Sequence, residues 1–170
     1  MIIIWFLIAF IGYLLAIFLF AYFLIPHFGF RKISVPNDIP ESMEDKINEL
    51  KNSAGSPEEF LDLTYDYLGN KYHSERWNTL LKPQLWFKNL EQIWQIDGFV
   101  PCHQSSFIFK IFLVRSDFFK QEDIKIKLTF LNFVIHHYLL LSLNGKQIPI
   151  DVGEKQNGLK IGEHANFFAK

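Results

Sequence analysis

The sequence predicts an α+β domain carried behind a single N-terminal transmembrane helix. Three observations predict it. Residues 1–30 contain no Asp, Glu, Lys or Arg, so all 17 basic and all 18 acidic side chains fall in residues 31–170. Apolar residues then recur at helical spacing between Met43 and Ile96. From Ile124 the pattern changes to alternation and reaches Asn144-Gly145, a strong hairpin signal. Helices first and an antiparallel sheet afterwards make an α+β fold. Residues 1–26 are expected as the membrane helix, 27–40 as a linker and 41–170 as one folded domain.

The run Ile2–Ile25 is apolar apart from Gly12, Tyr13 and Tyr22. As a helix it would be on the order of 36 Å long, enough to cross a hydrocarbon core of about 30 Å. Trp5 and Tyr22 suit the two interfaces, and Pro26 ends the helix. A cleaved signal peptide would have a basic start, a shorter apolar core and a small-residue cleavage site. A buried helix of a water-soluble domain would show a polar stripe. Arg31 and Lys32 follow the run, and only the terminal amine precedes it. The positive-inside rule therefore puts the following domain in the cytoplasm.

Composition excludes several classes. Hydrophobic residues make up 49% and aromatic residues 17%, with 19 Phe, which no disordered chain carries. A net charge of −1 argues against a nucleic-acid partner, which needs a dominant basic surface. A single cysteine forms no internal disulfide, so the chain is not a disulfide-stapled scaffold.

Residues 33–40 hold two prolines and little periodicity, which suits a linker. Met43, Ile47 and Leu50 mark a short amphipathic helix that Asn52–Gly55 breaks. Ser56-Pro57-Glu58-Glu59 is a helix start, with a Ser cap and Pro at the first position. Phe60, Leu63, Tyr67 and Leu68 mark its buried face, and Gly69 is expected to end it. Trp77–Ile96 is expected to be helical in pieces, interrupted at Pro83. Its stripe of Trp77, Leu81, Leu85, Leu90 and Trp94 suits a core better than a ligand box. Residues 97–101 read as a loop. Cys102–Val114 reads as a helix apolar almost all round, so buried on most sides. Ile124–Phe130, Phe133–Leu143 and Gln147–Val152 read as three strands.

The chemistry converges on the lone cysteine. Cys102 stands where a loop meets a helix N-terminus, and the N–H groups and dipole there favour a thiolate and an oxyanion. A nucleophile of this kind needs a base and an orienting acid. His136, His137 and Asp151 lie on adjacent arms of the hairpin. With Asn144-Gly145 as a two-residue turn, Leu143 faces Lys146 and Tyr138 faces Asp151. His136 and Tyr138 then share a face with Asp151, and His136 is its diagonal neighbour. His137 falls on the apolar face with Leu139, Leu141, Ile148 and Ile150. His136 is thus the expected base and His137 a core histidine.

The competing reading of Cys102 is a small buried hydrophobe. A metal site is disfavoured, because adjacent strand histidines face opposite ways and Cys102-His103 lacks a second ligand pair. His103 reads as a packing residue. Gln95, seven residues before Cys102, is a candidate second oxyanion donor.

The order of Cys at a helix start, then His and Asp on an antiparallel sheet, resembles the transglutaminase-like superfamily of papain-like cysteine enzymes. The stretch from His136-His137-Tyr138 through Asn144-Gly145-Lys146 to Ile148-Pro149-Ile150-Asp151 is similar to that family's block of His, small residue, aromatic, then Gly-Lys and a closing Val/Ile-Asp. Cys102–Leu113 with Val114-Arg115 resembles its cysteine helix. The likeness covers about residues 95–152. The chain differs from the pattern at Val100, Tyr138 and Val152, where the family commonly has Gly, Trp and Pro.

The resemblance implies a papain/transglutaminase-like core, with Cys102 as nucleophile, His136 as base and Asp151 as orienting acid. It implies acyl transfer through a thioacyl intermediate, to water or to an amine, on a protein or peptide substrate. No cofactor and no metal is expected. The alternative is an inactive peptide-binding module of the same fold, tethered to the membrane. A structural membrane protein that self-associates is a third reading, weakened because Gly12 has no GxxxG partner.

Overall fold

The computed structural model describes residues 2–24, 34–75, 78, 82, 84–85, 88–131 and 134–165. Pro26, Arg31, Lys32, Trp77, Leu81 and Pro83, on which the sequence placed a helix end, an orientation and a stripe, lie outside the described residues. Helix α1 (Ile2–Leu24) carries no charge. Its described side chains cover residues 3–16 and Leu19. They are exposed, with Ile3 and Phe6 each at 75% and Trp5 at 66%. Among the described residues, no helix is long and apolar enough to cross a membrane.

Residues 34–40 are irregular but lie against the domain. Val35 N–H donates to Gln121 Oε1 at 2.9 Å, and Val35 and Ile39 pack on the core. Helix α2 (Glu41–Ser53) buries Met43, Ile47 and Leu50, the spacing that predicted it. Helix α3 (Pro57–Lys71) starts as its sequence indicates: the Ser56 side chain accepts from Glu59 N–H, and Pro57 sits in the first turn. Glu59 turns back one residue further, accepting from Gly55 N–H at 2.7 Å. The buried face of α3 is Phe60, Leu61, Thr64, Tyr65 and Leu68, whereas Leu63 and Tyr67 are only half-buried. Gly69 does not end this helix, which runs on to Lys71. A Cβ at Gly69 would collide with the Lys155 side chain, so this glycine answers a close approach rather than a cap.

The stretch expected as a loop around residue 98 contributes a strand. β1 (Tyr72–His73) and β2 (Gly98–Phe99) pair in parallel, with Tyr72 opposite Gly98. Between them, α4 (Leu90–Trp94) begins with a capping box in which Asn89 and Gln92 exchange side-chain-to-backbone bonds.

Helix α5 (Cys102–Arg115) is the centre of the fold. Every residue from Cys102 to Leu113 is buried. Phe107, Ile108, Phe109, Ile111, Phe112 and Leu113 fill the core against α2 and α3 on one side and the sheet on the other. Burying each such side chain stabilises by roughly 1.5–3 kcal/mol. Arg115 Nη2 binds Glu44 Oε2 at 2.7 Å and ties the end of α5 to α2.

The sheet is antiparallel in the order β3 (Ile124–Leu131), β4 (Val134–Leu143), β5 (Lys146–Ile150). On β3, Lys125 and Lys127 are exposed while Ile124 is buried, which matches the alternation. Asn144 at φ 51° and Gly145 at φ 74° form the two-residue turn, a backbone those residue types tolerate. The register runs from Leu143 opposite Lys146 to Leu139 opposite Ile150, as the turn requires. β5 stops at Ile150 instead of Val152. Residues Val152–Asn157 wind into a 3-10 helix that packs against α3, β1 and α5. The architecture is α+β, with helices before a small antiparallel sheet.

Candidate active site

Cys102 is the first residue of α5, preceded by Pro101 and Val100. Pro101 holds extended backbone at φ −58° and ψ 143°, and no side chain caps the helix. The uncapped first turn keeps the positive end of the helix dipole beside the thiol. Cys102 is 9% exposed.

His136 and Asp151 meet as the diagonal pairing requires. His136 Nε2 lies 2.6 Å from Asp151 Oδ2, and both side chains are buried. The same Oδ2 accepts the backbone N–H of Ala165 at 3.0 Å. Two donors on one buried carboxylate oxygen fix its orientation. The segment carrying Ala165 is anchored along its length. Tyr65 Oη donates to Leu159 O, Gly162 N–H to Pro149 O, and the His164 ring stacks on Tyr138 at 4.1 Å between centroids.

His137 corrects the sequence reading. It lies on the strand face of Leu139, Leu141 and Ile150, as parity demands, but that is the face α5 covers. Its Nδ1 is 3.7 Å from Cys102 Sγ. The ring of His103 meets it edge-on at 5.9 Å, and Ser106 Oγ donates to its backbone oxygen. His137 is therefore a neighbour of the thiol rather than a plain core residue.

Both histidines act on the sulfur. Burial pushes the Cys102 thiol up, but hydrogen bonding to His136 and His137 and their charges outweigh it and bring the thiol down to about 5. Burial acts on His136 in the opposite sense, lowering it. The bonds to Asp151 and Cys102 and their negative charges win, and His136 is held well above its ordinary 6.5. A lowered thiol beside a raised imidazole favours a thiolate–imidazolium pair near neutral pH. A polarised thiolate of this kind can attack a carbonyl carbon or hold a soft electrophile.

Gln95 does not join this cluster. It is exposed at the end of α4, and its Nε2 donates to Glu91 Oε1 at 3.2 Å. Among the described residues, no group of three or more His, Cys, Asp or Glu side chains is arranged to hold a metal ion. Sequence reasoning missed two contributors. The Ala165 N–H is a backbone group with no side-chain signal. His137 had a visible signal, its adjacency to His136, but its face was read as core alone. No family model, curated protein or solved structure matches this chain.

Proposed function

We propose that this chain is a membrane-tethered cysteine enzyme that transfers acyl groups, with a papain/transglutaminase-like core. The observation that carries the reading is a buried thiol, brought to about 5, whose histidine neighbour His136 is bound to Asp151 at 2.6 Å. In this reading the Cys102 thiolate attacks a carboxamide or peptide carbonyl and forms a C–S bond. The C–N bond breaks, and the leaving amine takes a proton from the His136 imidazolium. Asp151 holds the imidazole in one orientation and stabilises its cation. The first-turn N–H groups of α5 face the developing oxyanion. Water or an amine then releases the acyl group. The substrate is a protein or peptide.

Alkylation of Cys102 by iodoacetamide across pH tests the reading, because the chain has no other cysteine. Fast reaction at about pH 6 in the wild type, lost in His136→Ala, is expected of a paired thiolate. Cys102→Ala is expected to abolish turnover while the melting curve is retained. Residual turnover in that variant sinks the proposal.

The second reading is an inactive peptide-binding module tethered to the membrane. The low exposure of Cys102 favours it, since a nucleophile must be reached. It expects no turnover in wild type and unchanged peptide affinity in a Cys102→Ala, His136→Ala double variant.

A further inference from the structure

Two adjacent strand residues normally point to opposite faces, yet His137 Nδ1 lies against the Cys102 sulfur while His136 also helps to lower the thiol. His136 has one ring nitrogen already committed: Nε2 is bound to Asp151 Oδ2. Only its Nδ1 remains for the sulfur or for a leaving group. His137 is held differently. Its backbone oxygen accepts from Ser106, one turn along α5 from Cys102, and its ring abuts His103. Its Nδ1 approaches the sulfur at 3.7 Å, a usual length for a bond to this large, soft acceptor.

We infer that the two histidines divide the work: His137 donates an Nδ1–H hydrogen bond that holds the Cys102 thiolate, while His136 carries the proton that moves. The inference rests on the reading of Cys102 as a nucleophile and names a further catalytic residue for that reaction. In the acylation step the sulfur forms its bond to the acyl carbon, the C–N bond breaks, and the Nδ1 proton of His136 goes to the departing nitrogen. His137 gains and loses no proton. In the hydrolytic step a water proton returns to His136 Nδ1 as the water oxygen bonds to the acyl carbon. The C–S bond then breaks, and the sulfur leaves as a thiolate onto the waiting Nδ1–H of His137. The donor thus improves the leaving group in the second half-reaction and steadies the nucleophile in the first.

The titratable groups around the sulfur are His103 on α5, His136 and His137 on β4, and Asp151 beyond β5. The other buried charged side chains among the described residues are Lys110 on α5 and Glu154 in the 3-10 helix packed against it.

The test compares His137→Asn with His137→Gln in the full chain in detergent, by the rate of Cys102 alkylation with iodoacetamide against pH. Asn places its amide N–H where Nδ1 stands, and Gln places it where Nε2 stands. The Asn variant is expected to alkylate at pH 6 close to the wild-type rate. The Gln variant is expected to lose about tenfold at pH 6 and recover at pH 9, a rise of roughly two units in the midpoint. Asn and Gln variants that behave alike overturn the inference and leave the nucleophile reading in place. A wild type that alkylates only as an ordinary thiol overturns both. One further measurement needs no variant: in the wild-type chain with ¹⁵N-labelled histidine, His137 is expected to be protonated at Nδ1 at pH 7. A bare Nδ1 there overturns the inference.

Discussion

At the residue scale the most informative atom is Asp151 Oδ2. It accepts from His136 Nε2 at 2.6 Å and from Ala165 N–H at 3.0 Å. Its charge is one of the influences that raise His136, and the thiolate is another. The proposed acyl transfer requires Cys102 without its proton and His136 with its proton. Activity is therefore expected to rise as pH passes about 5, where the thiol ionises. It falls again where His136, held well above 6.5, gives up its proton. Asp151→Asn removes the negative charge and keeps the size. It is expected to move the falling limb to lower pH and to cut turnover by about 10²–10⁴. A pH–rate profile of the variant checks both. The His136–Asp151 contact was legible in the sequence because Asn144-Gly145 sets the register, and register alone makes the two residues diagonal neighbours. His137 was legible only as to face. Which partner covers that face depends on where α5 lands.

At the element scale, α3 starts where its capping residues place it. Ser56 accepts from Glu59 N–H at 3.1 Å and starts α3. Ser56→Ala is expected to cost about 1 kcal/mol, read as a lower urea midpoint with an unchanged slope, and to leave Cys102 alkylation unaltered. The helix end at Gly69 was misjudged because a glycine has two uses. Here it admits the Lys155 side chain, 86 residues away, whose Nζ binds Asp66 Oδ1 at 2.7 Å. The strand at Gly98–Phe99 was misjudged for a related reason. Two residues show no periodicity, and their pairing with Tyr72–His73 is set by the surrounding tertiary contacts.

At the scale of the whole molecule, the chain joins an uncharged helix to a domain built round one buried helix. The described side chains of α1 are exposed and apolar, including Ile3, Ile4, Trp5, Phe6 and Ile11. Exposed apolar surface on this scale marks a membrane or partner surface. This motivates the tether in the proposal. The full chain is expected to sediment with neutral lipid vesicles, and an Ile11→Arg, Leu14→Arg variant is expected to remain in the supernatant, because a charge near a helix centre opposes insertion by about 2.5–3.5 kcal/mol each. Equal sedimentation of both would remove the tether and leave the reading of Cys102 untouched.

The sequence by itself determined what depends on neighbours along the chain. The segregation of charge, the Ser56 start of α3, the three strands, the Asn144-Gly145 turn and the His136–Asp151 register all follow from local pattern. The tertiary structure decided what meets across the core. Cys102 and His137 stand 35 residues apart, and their contact depends on the crossing of α5 over β4. Ala165 reaches Asp151 through the path of the chain after β5. Gln95 is held away by its own helix. Local periodicity assigns a face to each residue. Only the packing of one element on another, driven by burying the aromatic core of α5, assigns that face a partner.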